Sequence, residues 1–199
     1  MIEIAHQTEQ YLSDFSSEEG NLKRFSCICN IIESQASLYR STRDRTVILI
    51  KKEIGLKNEK VISRHLNILQ RWGILEFVEN QYVLTGEGRA LCAFLNGKPS
   101  PEQKLTKEEK IFYFKTLFTS KATAAPLLQT MKSILKEQGG PRDRAVIVFF
   151  KSDLAERIWN VQTIKSHLMK YETRGVVSSF LRNKFRCLES WLQHLDLVK

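Results

Sequence analysis

The run from Lys57 to Arg71 places hydrogen-bonding side chains on one side of a helical wheel and apolar side chains on the other. An arginine guanidinium can form two parallel hydrogen bonds with the edge of guanine, and an asparagine amide can do the same with adenine. Exposed lysines and arginines near the ends of such a run can bind phosphate oxygens. The residues of suitable type for base edges are Asn58, Lys60, Ser63, Arg64 and Asn67, and those for phosphates are Lys57 and Arg71.

A second run, from Phe180 to Leu195, divides its side chains in the same way. Its candidates for base contacts are Arg182, Asn183, Arg186 and Ser190, with Lys184 at the phosphate backbone. The solvated face of an ordinary amphipathic helix is an alternative explanation for both runs. The scarcity of acids favours the binding interpretation, because the first run contains only Glu59 and the second only Glu189.

Nearly identical phrases, 99 residues apart, precede the two runs. Arg43–Leu49 reads RDRTVIL, and Arg142–Val148 reads RDRAVIV. The ends of the runs also match, since Ile68–Leu75 reads ILQRWGIL and Trp191–Val198 reads WLQHLDLV. Internal repetition of this kind predicts two copies of one structural module.

The repeated Arg-Asp-Arg phrase begins a predicted helix in each copy. Its arginines are candidates for phosphate contacts, because the helix before a reading helix usually crosses the DNA backbone. They are Arg43, Arg45, Arg142 and Arg144. Alternatively, the arginines pair locally, while Asp44 and Asp143 stabilise the helix starts through the helix dipole.

Apolar periodicity and capping residues define the elements of the first copy. A polar turn at Glu79-Asn80-Gln81 separates two short β-rich segments, which predicts a hairpin. The predicted helices are Glu3–Phe15, Leu22–Leu38, Arg43–Ile54 with a cap at Ser41-Thr42 and an end at Gly55, Asn58–Trp72, and Arg89–Leu95, and the predicted strands are Ile74–Val78 and Tyr82–Thr85.

This order of elements from Arg43 to Leu95 resembles the winged helix-turn-helix superfamily. The phrases that carry the resemblance are Leu69-x-x-Trp72-Gly73-Ile74-Leu75 and Leu84-Thr85-x-x-Gly88. The resemblance implies a mainly α fold with a small β-hairpin wing, and the repeat implies tandem winged helix-turn-helix modules. Asn80 and Gln81 in the wing would touch the adjacent minor groove, or they simply form the hairpin turn.

The Pro- and Gly-containing segment Asn96–Pro101 predicts a linker, which divides the chain into a first module at 1–97 and a second at 98–199. Thr106 and Glu109 form a predicted capping box. Helices are then expected at Ala124–Glu137, from Arg142, at Asn160–Tyr171 and at Phe180–Leu195. Leu197-Val198 matches the first wing strand, but no turn or returning strand follows. We therefore expect the second module to lack its wing, and we favour a chain that continues beyond Lys199.

Composition bounds the remaining possibilities. The net charge of +9, from 31 Lys and Arg against 22 Asp and Glu, favours a polyanionic partner or merely aids solubility. No apolar run reaches the roughly 20 residues that span a bilayer, and no signal peptide is evident, so we expect a cytoplasmic protein. The four cysteines are scattered and are expected to be free thiols, and His65 is expected in the core.

No catalytic constellation is found: the sequence lacks a phosphate-binding loop, a nucleophile elbow and a metal-binding histidine pair. We therefore expect this chain to be no enzyme and to hold no cofactor or metal. The tandem arrangement resembles the recognition region of type IIS restriction endonucleases, which implies a catalytic domain beyond the C-terminus.

The sequence thus predicts sequence-specific binding of double-stranded DNA through two recognition helices in the major groove, as part of a larger protein such as a restriction endonuclease. One alternative is a stand-alone transcriptional regulator or replication-type protein that acts as a homodimer. Another is a winged-helix scaffold that binds proteins.

Overall fold

The computed structural model of the chain describes residues 21–36, 42–95, 97–119, 121–138, 140–158 and 161–198. They form two compact units, which we call the first unit (residues 21–114) and the second unit (described residues from 115 onward). Helices predominate, and the named strands among these residues form one antiparallel hairpin. A mainly α fold with a small hairpin is therefore confirmed, while the predicted helix at Glu3–Phe15 lies outside the described residues.

The elements of the first unit follow the predicted order. They are α1 (Leu22–Ala36), α2 (Arg43–Ile54), α3 (Glu59–Arg71), β1 (Leu75–Val78), β2 (Gln81–Leu84), α4 (Gly86–Ala93) and the start of α5 (Lys107–Thr119). Gly55 ends α2 at a φ of 76°, as predicted for a left-handed cap. Thr42, the residue before α2, forms an isolated antiparallel bridge with Gln81. The chain therefore enters α2 beside the hairpin.

The hairpin turns through two residues, Glu79 and Asn80, whose φ angles are 48° and 61°. Positive φ at both turn positions matches the right-handed twist of the strands. Gln81, predicted in the turn, belongs to β2 and pairs with Val78. The turn is thus one residue shorter than the sequence suggested.

An aromatic cluster joins three helices of the first unit. The ring of Phe25 on α1 lies 5.1 Å from that of His65 and 5.0 Å from that of Trp72, and Trp72 lies 6.4 Å from Tyr113 on α5. His65 is fully buried among these groups. Its predicted place in the core is confirmed.

Residues 98–114, which the sequence placed in the second module, pack with the first unit. The Lys23 ammonium lies 2.7 Å from the Glu109 carboxylate, and both side chains are buried. The predicted capping box is present, since Glu109 accepts a 2.8 Å hydrogen bond from the Thr106 N–H. The Pro- and Gly-containing segment that was predicted as a linker interrupts regular secondary structure, but the residues after it still pack against α1.

The named secondary-structure elements of the second unit are all helices. After the end of α5 it contains α6 (Lys121–Lys136), α7 (Arg142–Phe150), α8 (Asp153–Ile158), α9 (Val161–Arg174) and α10 (Ser179–His194). The short α8 was not predicted. α10 packs on α6 and α7, with Phe185 5.7 Å from Phe149 between ring centres. Leu197 and Val198, which match the first wing strand in sequence, close the end of α10 and have no paired strand in the described chain.

The sequence repeat has a structural counterpart. α1 and α2 begin 99 residues before α6 and α7, respectively. The helices α3 and α10 end with the same cap: Ile74 N–H donates to Leu69 C=O, and Leu197 N–H donates to Leu192 C=O, both at 2.9 Å. The matched phrases therefore encode matched helix ends.

Candidate nucleic-acid interface

The core-facing side of α3 fixes which of its residues point outward. Ile62, His65, Leu66, Ile68 and Leu69 are all buried, so the polar residues between them occupy the opposite side. Asn58 caps the helix, since its side-chain oxygen accepts a 2.9 Å hydrogen bond from the Lys60 N–H. The amide oxygen of Asn58, a predicted base-contacting group, therefore has a structural role.

The remaining candidates of α3 lie on its outer side. Lys60 and Asn67 are exposed, and Ser63 and Arg64 are half-buried between them. Lys57 and Arg71, the predicted phosphate-binding residues, are exposed near the two ends of the helix. The structure therefore brings these side chains into one stripe along α3.

The acids near this stripe are engaged by lysines. Lys51 forms an ion pair with Glu59, the single acid of α3, and its hydrogen bond and charge hold the pKa of Glu59 below the ordinary value. Glu53 on α2 lies 3.0 Å from the Lys98 ammonium. From residue 43 to residue 71 the chain carries eight Lys and Arg against three Asp and Glu, so this surface is strongly cationic.

The start of α2 also presents basic groups. Arg43 and Arg45 are exposed, as is Asp44 between them. Thr42 makes no side-chain cap, and the Arg43 N–H donates instead to the Asn80 carbonyl of the hairpin at 3.4 Å. Both arginines occupy the positions predicted for phosphate contacts.

The hairpin is less suited to nucleic acid than the sequence suggested. Asn80 is exposed at its tip, but Gln81 is half-buried and takes part in the bridge to Thr42. Glu76 and Glu79 are exposed on the same hairpin. Their carboxylates would repel phosphates, so α3 is the stronger candidate for contact.

Two predicted basic contacts of the second unit are instead ion-paired within it. The Arg182 guanidinium binds both carboxylate oxygens of Asp143, at 2.9 and 2.5 Å, and this holds the pKa of Asp143 below the ordinary value. Arg142 pairs with Glu189, which is buried. The repeated Arg-Asp-Arg phrase therefore binds α10 by two ion pairs, Arg142–Glu189 and Asp143–Arg182.

The other candidates of the second unit remain on its surface. Arg144, Asn183 and Arg186 are exposed, while Lys184 and Ser190 are half-buried. The described strands pair only in the hairpin of the first unit, so among the described residues no strand lies beside α10. These predicted DNA contacts stay predictions.

Burial shifts the pKa of three titratable groups in the first unit away from neutrality. Burial lowers the pKa of His65 to about 4, although its Nδ1 contacts the Val61 carbonyl at 2.8 Å. Burial raises the pKa of both Cys27 and Cys92 to about 12, which keeps these thiols protonated. Among the described residues, no group of three or more His, Cys, Asp or Glu is arranged to hold a metal ion.

Comparisons with protein-family models, with curated proteins and with solved structures found no match. Within the described part of the chain, every helix is too short or too polar to cross a membrane.

Proposed function

We propose that the first unit binds duplex DNA, with α3 in the major groove and the start of α2 at the phosphate backbone. The observation that carries this proposal is the cationic surface of residues 43–71, whose polar stripe on α3 lies opposite the buried core face of that helix. Arg64 and Asn67 are of the types that form paired hydrogen bonds with guanine and adenine. Arg43, Arg45, Lys57 and Arg71 supply the phosphate contacts.

The order of elements supports the same proposal. After α1 come Thr42, the helices α2 and α3, and the hairpin of β1 and β2. Thr42 pairs with Gln81 of the hairpin and so adds a third short strand segment. This arrangement agrees with the winged helix-turn-helix resemblance of the sequence. The further resemblance to type IIS recognition regions rests on the sequence phrases, so the proposal here concerns DNA binding alone.

Salt dependence tests the phosphate part of the proposal. Four phosphate contacts give a slope of about −3.6 for the logarithm of affinity against that of salt, or roughly a hundredfold loss between about 50 and 200 mM. Fluorescence anisotropy with a labelled duplex measures this slope. Arg71→Ala is expected to reduce its magnitude by about 0.9. Lys104→Ala removes an exposed cation outside α2 and α3 and is expected to leave the slope unchanged.

Selection of duplexes from a random pool tests base recognition. The wild-type protein should enrich one sequence, and Arg64→Ala should weaken that sequence by about 1–3 kcal/mol while changing nonspecific affinity little. Absence of DNA binding at low salt would overturn the proposal.

A further inference from the structure

A groove of about 630 Å³ lies in the second unit between the end of α6, the start of α7 and the end of α10. Leu135 and Ala145 contribute apolar surface to it, and Leu135 is 62% exposed. The volume is within the range of about 300–1,000 Å³ that is typical of ligand-binding clefts. The repeat identifies what the same position holds in the first unit.

In the first unit the equivalent position is filled by β2. The repeat matches the groove-forming ends of α6, α7 and α10 to the ends of α1, α2 and α3. There, β2 packs on α1 and α2 and buries Tyr82 and Leu84. The groove in the second unit is therefore the space that a β-strand occupies in its counterpart.

The backbone at the start of α7 is suited to receive such a strand. In the first unit the Arg43 N–H donates to the Asn80 carbonyl, so the strand supplies a cap to α2. The equivalent N–H in the second unit belongs to Arg142, and Pro141 before it makes no side-chain cap. In the first unit, the hydrogen bond beside the Thr42–Gln81 bridge is donated by the N–H of Arg43. The bridge therefore does not need an N–H at the position of Thr42. Proline at 141 is compatible with the same register.

The charge of the groove indicates what the strand should carry. Its lining includes the carboxylates of Glu137, Glu189 and Asp196 and the cation of Arg142, which pairs with Glu189, so the lining carries an excess of acid. This excess of acid stands out in a chain of net charge +9. A lysine or arginine on the incoming segment would be favoured by this field.

We propose that this groove binds an extended segment of a partner protein, which adds as a β-strand, alternates apolar side chains and carries a lysine or arginine. Main-chain hydrogen bonds supply affinity in this mode, and alternate side chains supply specificity. The proposal is independent of DNA binding by the first unit.

A labelled peptide with the sequence of Glu79–Gly86 and the substitution Glu79→Lys is a suitable probe, because β2 fills the equivalent space. Fluorescence anisotropy with the 199-residue chain should detect its binding. Leu135→Ser should weaken binding by roughly tenfold or more, since it removes the exposed apolar wall without changing the charge of the groove. Leu128→Ser changes a 49% exposed leucine of α6 outside the groove and should leave binding within about twofold.

Two further measurements complete the test. Peptide binding should slow hydrogen exchange at the Arg142 amide, and selection from random eight-residue peptides should enrich alternating apolar residues with a lysine or arginine. Equal binding of a scrambled peptide, equal effects of the two leucine variants, or no binding would overturn the proposal. Protection of the groove that rises with protein concentration alone would assign it to a second copy and would also overturn it.

Discussion

The two units share helix phrases but differ in what covers them. In the first unit, Asp44 is exposed, and β2 lies beside the start of α2. In the second, Asp143 binds Arg182, and the position equivalent to β2 is an open groove. The comparison teaches that one repeated phrase can have its charges exposed in one unit and bound to a neighbouring helix in the other.

The same difference separates the functions that we propose for the two units. In the first unit, Glu59 of α3 pairs with Lys51 and Glu53 of α2 pairs with Lys98, and residues 43–71 keep an excess of basic groups. In the second unit, Arg142 of α7 and Arg182 of α10, which the sequence predicted as DNA contacts, form ion pairs with Glu189 and Asp143 instead. The open groove then becomes the prominent feature of that unit.

The largest expected effect is the loss of stability when a buried ion pair is broken, compared with the loss for a partly exposed pair. Glu109→Gln leaves the buried Lys23 ammonium without its counter-charge and should lower the free energy of unfolding by about 3–5 kcal/mol. Asp143→Asn breaks a pair whose side chains are 39% and 41% exposed and should cost clearly less. Urea unfolding measures both. The double variant Lys23→Met with Glu109→Leu should recover most of the loss, and equal losses for the two single variants would contradict the assigned depths.

The second prediction compares DNA binding by α3 and α10. Lys60→Ala with Arg64→Ala should weaken specific binding by roughly 30- to 100-fold, because it removes one phosphate- or base-directed cation and one base-reading group. Lys184→Ala with Arg186→Ala removes the same number of charges from α10 and should weaken binding less than about fivefold. Anisotropy at one fixed salt concentration compares them. Equal losses would show that both units read DNA.

The smallest expected effect is the pH dependence from His65. Its folded-state pKa of about 4 lies below the ordinary value, so the unfolded chain binds a proton first as the pH falls. The contribution of the neutral imidazole is complete above about pH 6.5 and decreases toward pH 4, with a loss of about 2 kcal/mol between pH 7 and pH 5. In the alignment of α3 with α10, His65 corresponds to Leu188, 123 positions later, which is buried and does not titrate.

His65→Leu copies the second unit at this position and serves as the control. The variant should remove most of the decrease in the free energy of unfolding between pH 7 and pH 5. A decrease of the same size in the variant would assign the pH dependence to other groups.

Most helix boundaries could be predicted because their signals are local. The Asn58 cap, the Gly55 end and the Thr106–Glu109 capping box involve residues within four positions of one another, and all three are present. The two-residue turn at Glu79-Asn80 and the helix α8 were missed. Neither has a strong glycine or proline signal, and the cross-strand pairing of Gln81 decides the turn length.

The surface of the candidate site was predicted less completely than its helix. Periodicity identified the outer stripe of α3, because burial of Ile62, Leu66 and Leu69 leaves only one side for polar residues. It could not reveal that Gln81 would bridge to Thr42, or that Arg182 would meet an acid. Those outcomes depend on packing between distant segments.

The sequence by itself determined the helices, the hairpin and the matched ends of α3 and α10, since backbone hydrogen bonds between near neighbours set them. Tertiary structure alone decided which charges remain available. The pairs Arg182–Asp143, Arg142–Glu189 and Lys23–Glu109 join residues 39, 47 and 86 positions apart. Contacts over such distances depend on how helices pack against one another. The repeated phrases are too alike to predict which of the two copies forms ion pairs with a neighbouring helix.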